Sequence, residues 1–466
     1  MTAVKRGLIR RKSDVDMTEG SIIRHLLAFA MPLLLGNLFQ QLYNTVDTWV
    51  LGNYAGNEAY AGVGSLTPII NTLIGFFTGL SSGAGAVISQ FYGAKREDKV
   101  HDTVHTAILL TLLLSVAFTV VGWLISPYML QLMKTPENVF DESLSYLRIY
   151  FSGVLGLMLY NIGAGILRAV GDSRRPFYFL VVSALTNTVL DLLFVVTFDM
   201  GVEGVAYATI IAQGMSALLV VLTLMRSKAC IRLIPSHLKI HRDMLGKIFQ
   251  VGLPAGLQMM VTSFSNVFVQ SYINFFGDDC MSGWTSYTKI DQVLLLPMQS
   301  LALASTTFVA QNLGSKQVKR AKKGAFTALI LSIASMLILM VPLLILAPQL
   351  VGFFNDKPEV IEYGVMLLRY ISPFYLLCCI NQIYAGALRG AGNSRAPMII
   401  MLASFVVFRQ VYLYVMANFI SNEVLPIAMS YPAGWLLSSL LTLIYYNKVK
   451  LESTRLVDDE PSEEQA

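Results

Sequence analysis

The sequence predicts an all-α polytopic membrane protein with twelve transmembrane helices. These form two six-helix lobes related by a pseudo-two-fold axis along the membrane normal. Three observations carry that prediction. Only 14% of the 466 residues are charged while 55% are hydrophobic. The apolar residues gather into twelve runs long enough to cross a bilayer, and the second half repeats the first at an offset of 221–222 residues. A soluble chain carries about 25% charged residues, so most of this surface does not face water. The composition excludes a disordered chain, a secreted disulfide scaffold and an ordinary cytosolic enzyme. Cys230, Cys280, Cys378 and Cys379 have neither framework nor metal-ligand spacing. No cleavable signal peptide is expected, because the polar, basic residues 1–25 precede an apolar run too long for a signal core.

A hydrocarbon core of about 30 Å needs roughly 20 apolar helical residues. The runs that meet this are 26–51, 60–91, 103–125, 143–167, 177–198, 202–225, 247–276, 286–312, 324–347, 363–387, 397–420 and 424–446. They are long and continuously apolar, without the alternation of a barrel strand. With residues 1–25 in the cytoplasm, 28 of the 34 Lys and Arg residues fall in inside segments. Only Lys134 and Lys357 fall in outside loops, while Arg148, Lys289, Arg369 and Arg409 lie within spans. That asymmetry is the positive-inside bias. It puts both termini inside and divides the chain into a cytoplasmic segment 1–25, an N-lobe 26–225, a linker 226–246, a C-lobe 247–446 and an acidic tail 447–466. The linker reads as a partly amphipathic surface helix, and the tail after Arg455 as disordered.

The repeat is clearest where Leu167-Arg168-x-x-Gly171-Asp172-Ser173-Arg174-x-Pro176 matches Leu388-Arg389-x-x-Gly392-Asn393-Ser394-Arg395-x-Pro397. Pro32 matches Pro254, Asn44 matches Asn266, and Gln90-x-x-Gly93-x-Lys95 matches Gln311-x-x-Gly314-x-Lys316. Six spans per unit is an even number, so the units share one orientation, as in transporters built from parallel repeats. The LRxxG-[DN]-SRxP element reads as a tight hairpin. Its Gly takes a left-handed helix cap and its Pro the first turn of the next span. Arg168 and Arg389 are candidate latches between lobes.

A 6+6 chain whose first span reads PLLLGNLFQQLYNTVDTWVLG, with loops QFYGAK and QNLGSK and with LRAVGDSRRP after span 4, resembles the multidrug and toxic compound extrusion (MATE) transporters. The similarity covers roughly residues 20–448. It implies a plasma-membrane antiporter that expels bulky, amphipathic, often cationic compounds on a proton or sodium gradient.

Ionisable side chains in spans cost at least about 2.5–3.5 kcal/mol near the centre, so they are functional candidates. Asp47 in span 1 and Asp191 in span 5 fall at similar depth in the outer half. Asn37, Gln40, Gln41, Asn44 and Asp47 form a stripe at helical spacing, as do Ser183, Asn187 and Asp191, and Thr209 with Gln213. Uncharged members of such stripes also serve as hydrogen-bonding glue between helices. The second half carries Gln258, Thr262, Asn266 and Gln270, but Val269 stands opposite Asp47 and Val411-Tyr412-Leu413 opposite Asp191. The carboxylates therefore belong to the first lobe. The resemblance here is to the DinF-like and related bacterial branch, which implies a coupling site at Asp47, Asn187, Asp191 and Thr209. A sodium ion would be held at Asn187, Asp191 and Thr209. The acidic residues that NorM-like members carry in spans 7 and 10 are absent, which argues against a sodium site there.

Gln40, Asn44, Asn161, Gln213, Gln258 and Arg409 are candidates to line the substrate cavity. Arg409 alternatively pairs with a polar neighbour. Lys289 and Asp291 sit near the outer end of span 8 and are read as reaching the interface. Pro32 and Pro254 remove backbone hydrogen bonds at matching positions, and the resemblance implies a kink there that responds to protonation. The 21 Met and 46 Phe and Tyr residues suit an adaptable apolar cavity, although most must be ordinary packing. The expected partners are small amphipathic molecules and the bilayer, not nucleic acid. No cofactor or resident metal is expected, the coupling ion is H⁺ or Na⁺, and the chain is expected to work as a monomer. The main alternative is a lipid-linked oligosaccharide flippase of the same superfamily, which would have extra spans or a more cationic cavity. A major facilitator is disfavoured by the QFYGAKREDK loop. An enzyme is disfavoured because His25, His101, His105, His237 and His241 all lie at the cytoplasmic side and no HExxH or GxSxG occurs. A channel would not explain carboxylates confined to one lobe.

Overall fold

A computed structural model describes residues 16–55, 57–133 and 135–458. Lys134, most of the basic segment 1–25 and the end of the acidic tail lie outside the described residues. No strand occurs among the described residues. Twelve helical traverses follow one another: α1 (Ile22–Val50), α2 (Asn57–Gly93), α3 (Glu97–Leu132), α4 (Glu137–Ser152 and Val154–Ala169), α5 (Arg174–Thr197), α6 (Gly201–Met225), α7 (Arg242–Asn274), α8 (Asp278–Gly314), α9 (Val318–Ile345), α10 (Pro358–Gly390), α11 (Arg395–Ile420) and α12 (Val424–Lys448). The two parts of α4 meet at 46°. Ten of the traverses, or eleven counting α4, are apolar enough to cross a membrane by themselves. The remaining one, α7, is 33 residues long but carries the polar stripe from Gln258 to Gln270. Pro32 and Pro254 both lie inside continuous helices.

The hairpins join the helices as their sequence dictates. Gly171 and Gly392 take left-handed φ values of 88° and 97°. Asp172 Oδ1 then accepts from the backbone N–H groups of Arg174 and Arg175 at 3.1 and 3.2 Å. Asn393 Oδ1 accepts from the Ala396 N–H at 3.2 Å. These bonds satisfy donors that a helix start leaves open.

The two repeats do not pack as two sealed units. Leu26, Phe29, Ala30 and Leu33, at the start of α1, belong to the core built mainly by α8, α9, α10 and α12. Val50 and Leu51, at its far end, belong to the core of α2, α4 and α6. Helix α7 does the converse: Met244, Ile248 and Val251 join the first repeat, and Val269 and Ile273 the second. The α1 and α7 helices thus cross from one lobe to the other at the end of the bundle that carries the basic clusters. At that end α2 and α7 nearly touch. A Cβ on Gly79 would lie 2.3 Å from the Gly256 backbone, and one on Gly83 2.2 Å from Gly252. Small residues allow such backbone approach in apolar bundles. Among the described residues the apolar clusters towards the opposite end stay within one lobe each, so the lobes are packed together at the basic end and not at the other.

Both chain ends brace the closed end. Met17 is fully buried, its N–H donating to Gln311 Oε1 at 3.0 Å, while Asn312 Nδ2 and Arg320 Nη2 each donate to its carbonyl at 3.2 Å. Leu456 N–H donates to Gln90 Oε1 at 2.8 Å, and Lys247 Nζ pairs with Asp458 at 2.7 Å. The start of the tail, expected to be disordered, is thus packed: Leu456 and Val457 are buried against the first lobe. The linker also departs from expectation. It forms a single 3-10 turn, Pro235–His237, because Pro235 interrupts any helix and Ile231 and Leu233 are needed as buried anchors.

Candidate functional site

Helices α1, α5 and α6 pack together and bring Asp47, Asn187, Asp191 and Thr209 into one place in the first lobe. Asp47 and Asp191 interact directly across the α1–α5 contact. Asp191 is fully buried, and Asn187 and Thr209 are buried beside it. Buried N–H and O–H groups and their acceptors are almost always paired. Here both polar atoms of Asn187 have no hydrogen-bond partner, and Asp47 Oδ1 and both oxygens of Asp191 meet each other with no donor between them unless they share a proton. Leaving a polar group unpaired costs about 1–3 kcal/mol, so such a concentration is not a packing solution. These are mostly oxygens, which suits a proton or a small hard cation. Among the described residues no set of three His, Cys, Asp or Glu side chains converges on a metal position.

Local backbone geometry singles out the same place. Asp191 ends the α-helical part of α5, and the chain continues through Leu192–Thr197 as a π-helical turn. Such turns widen the helix and recur at functional positions. Three tyrosines surround the carboxylates. Tyr43 lies one turn before Asp47 and within its electrostatic range, Tyr146 neighbours Thr209 and both carboxylates, and Tyr150 neighbours Gln213. The Tyr146 and Tyr150 rings stack with centroids 6.3 Å apart. Sequence reasoning passed over these tyrosines. The visible signal was their helical spacing, Tyr43 to Asp47 and Tyr146 to Tyr150, each four residues.

The other candidates separate from this group. Gln40 is half-buried beside Tyr43, Asn44 is exposed on the same helix, and Gln213 is half-buried on α6. Asn161 is half-buried on α4, where its Nδ2 donates to Leu157 O at 2.9 Å. Gln258 is buried between α7 and α11, donating Nε2 to Met401 Sδ at 2.8 Å. Arg409 is only 1% exposed and so does not itself line an open cavity. Its Nη2 donates to Ser265 Oγ at 2.6 Å and Asn266 Oδ1 at 3.0 Å. Lys289, about three turns into α8, is exposed in a hollow of about 480 Å³, its Nζ 5.5 Å from the Phe354 ring. Asp291, expected at the interface, turns inward instead. It lies beside Tyr375, whose hydroxyl is 3.2 Å from that of Tyr287. The reason is helix length: α8 begins at Asp278, so Asp291 is more than three turns inside it. Arg168 and Arg389 make no hydrogen bond between lobes among the described residues.

Two repeats of apolar helices, with a pair of carboxylates gathered among buried polar side chains in the first lobe, define a duplicated polytopic membrane protein. The MatE family model matches residues 32–193 and 254–415, one match per repeat. The chain belongs to that family. Among curated relatives, the probable multidrug resistance protein YoeA of Bacillus subtilis is 30% identical over 94% of this chain and 97% of its own. The probable multidrug resistance protein YpnP of the same organism is 29% identical over 95% and 98%. The fold agrees with a solved structure described as the outward-facing conformation of a multidrug resistance MATE family transporter of the MOP superfamily. That agreement has a TM-score of 0.89 at 21% identity, over 96% of this chain and 99% of that one.

Proposed function

We propose that the protein is a secondary antiporter that exports amphipathic organic compounds, coupled to entry of H⁺ or Na⁺ through the first lobe. The observation that carries this reading is the cluster of Asp47, Asn187, Asp191 and Thr209. The curated relatives named as multidrug resistance proteins support the cargo class. The basic end of the bundle is assigned to the cytoplasm by the positive-inside bias, which makes the other end the outward-facing one.

In that arrangement a proton reaches the Asp47–Asp191 pair from outside, or a sodium ion settles among Asp191, Asn187 and Thr209. Either event removes negative charge from the first lobe, and a cationic cargo held there by attraction is released outward. The lobes then exchange which end is closed, and the Pro32 and Pro254 positions are where α1 and α7 can bend most easily. One proton moving inward across 100 mV supplies about 2.3 kcal/mol. One pH unit adds about 1.4 kcal/mol. Together they sustain a gradient of a few hundred-fold for a neutral cargo.

The test is purified protein in liposomes with imposed pH or sodium gradients and a fluorescent cationic dye. Wild type is expected to concentrate the dye on one of the two gradients, and Asp191→Asn to let it only equilibrate. An Asp191→Asn protein that still concentrates the dye against its gradient sinks the coupling role.

A further inference from the structure

The repeat register places a second polar group opposite the carboxylate site, with the charge reversed. At the 221–222 offset, Arg409 falls on Asn187–Thr188, Tyr431 on Thr209–Ile210 and Asn266 on Asn44. Val269 and Leu413, both fully buried, occupy the places of Asp47 and Asp191. Where α5 carries Asn187–Thr188 beside its carboxylate, α11 carries a buried guanidinium.

That guanidinium has no counter-ion. No carboxylate forms an ion pair with Arg409 among the described residues, and its Nε is buried without a partner. Asp291, a half-buried ionisable group of this lobe, interacts with Tyr375 and Tyr431 instead. The contacts of Arg409 are neutral: Ser265, Asn266, and the rings of Phe405 and Tyr431 at 5.6 and 4.8 Å. A neutral amide could tie α7 to α11 by the same hydrogen bonds without the cost of a buried charge. Like Asp191, Arg409 adjoins a π-helical stretch, here Leu402–Phe408.

The charge is presented outward through Asn266. Its Oδ1 accepts from Arg409 Nη2 at 3.0 Å and from Tyr431 Oη at 3.4 Å. The amide orientation is thereby set, and the Nδ2 donors are directed away from the guanidinium. Asn266 is exposed on the polar face of α7, the face that matches the Asn44 stripe of α1. A donor edge backed by an uncompensated positive charge recognises an acceptor, most strongly an anionic one. Behind it the buried rings of Trp284 and Trp435 pack against Tyr431 and hold it in place.

We propose that Asn266, oriented by Tyr431 and charged from behind by Arg409, forms a second-lobe subsite for the carboxylate or phosphate group of an organic cargo. The cleft then has an acidic wall and a basic wall, and favours amphoteric molecules over simple cations. This rests on the reading of the protein as an exporter of organic compounds, but it is tested by binding alone.

The test uses the full-length protein in detergent and two dyes that differ in one group: zwitterionic tetramethylrhodamine with its free carboxylate, and its cationic methyl ester. Fluorescence anisotropy is expected to give the free acid an affinity at least about tenfold higher than the ester. Arg409→Gln is expected to narrow that difference to within about twofold, with Arg409→Lys in between. Asn266→Leu removes the donor edge while keeping the charge, and is expected to narrow it as well. Thermal midpoints establish that each variant is folded. An ester that binds as well as the acid, an acid that does not bind, or a preference unchanged in both Arg409→Gln and Asn266→Leu overturns the subsite. The exporter reading fails separately: a wild-type protein with the binding preference but no gradient-driven transport refutes that reading and leaves the subsite standing.

Discussion

Gln90 and Gln311 make the same pair of hydrogen bonds in opposite directions across the lobe boundary. Gln90 Nε2 donates to Gly390 O and Gln311 Nε2 to Ala169 O, each at 2.8 Å. Each Oε1 accepts from a terminal segment, Leu456 N–H for Gln90 and Met17 N–H for Gln311. Every carbonyl reached belongs to the LRxxG turn of the opposite repeat, so one side chain ties a helix end, the facing hairpin and a chain terminus together.

Gln90→Leu strands the Gly390 carbonyl and the Leu456 N–H, and Gln311→Leu strands the Met17 N–H while Ala169 O keeps only Ser89 Oγ. Each unpaired group costs about 1–3 kcal/mol, and the loss falls only on the state closed at the basic end. Gln90→Leu and Gln311→Leu should each lower the thermal midpoint and widen the basic end. Spin labels on Glu97→Cys and Lys319→Cys, made in a Cys230→Ser background, read that opening as a longer distance. An unchanged distance distribution would mean that the glutamines do not hold the end shut.

The crossing that brings the glutamines into reach depends on two glycines. A Cβ on Gly93 would lie 2.0 Å from Gln311 O, and one on Gly314 would lie 1.9 Å from Gln90 O. Backbone atoms cannot yield that much space. Gly314→Ala should therefore trap the protein with its basic end open and abolish dye accumulation, while the protein still folds and binds. Retained accumulation by Gly314→Ala would show that α2 and α8 can close by another path.

These relationships mark how far sequence reasoning reaches. The repeat, the hairpins at Gly171 and Gly392 and the common placement of Asp47 and Asp191 follow from local signals: an offset, a left-handed residue, a depth count. The QxxGxK elements were equally visible, but their purpose was not, because Gln90 finds its partners in another lobe and at the far end of the chain. Asp291 was misplaced for a related reason. Apolar content sets where a span begins in lipid, not where the helix begins, and α8 starts eight residues earlier than its apolar run.

Asp291 supplies a control for the coupling site. It is half-buried, with one carboxylate oxygen enclosed, and sits in the second lobe among Tyr287 and Tyr375. If entry of the coupling ion is confined to the first lobe, Asp291→Asn should still concentrate dye on the gradient, at a rate within a few-fold of wild type. Asp191→Asn should not. Equal loss in both would extend the coupling pathway into the second lobe.

The linker is held by a histidine in one tautomer. Ile234 N–H donates to His105 Nε2 at 3.0 Å, so His105 Nδ1 carries the hydrogen and donates it to His101 O at 2.8 Å. His105→Leu removes the acceptor and should weaken docking of residues 226–246, at about 1–3 kcal/mol for the stranded N–H. Hydrogen exchange at Ile234 measures it: protection should fall in the variant, and unchanged protection would refute the tie.

Arg409 separates stability from function most directly. A buried charge without a counter-ion pays for desolvation without an ion pair to offset it. Replacement by a side chain of similar length without the charge, Arg409→Met, removes that cost. It leaves Ser265 with its bond to Phe405 O and Asn266 with Tyr431. The thermal midpoint of Arg409→Met should therefore stay level or rise, whereas the preference for the free-acid dye should collapse. Stability and activity moving in opposite directions is the mark of a residue kept for what it binds. A large fall in midpoint would instead make Arg409 a structural tie between α7 and α11, with its hydrogen bonds outweighing the buried charge.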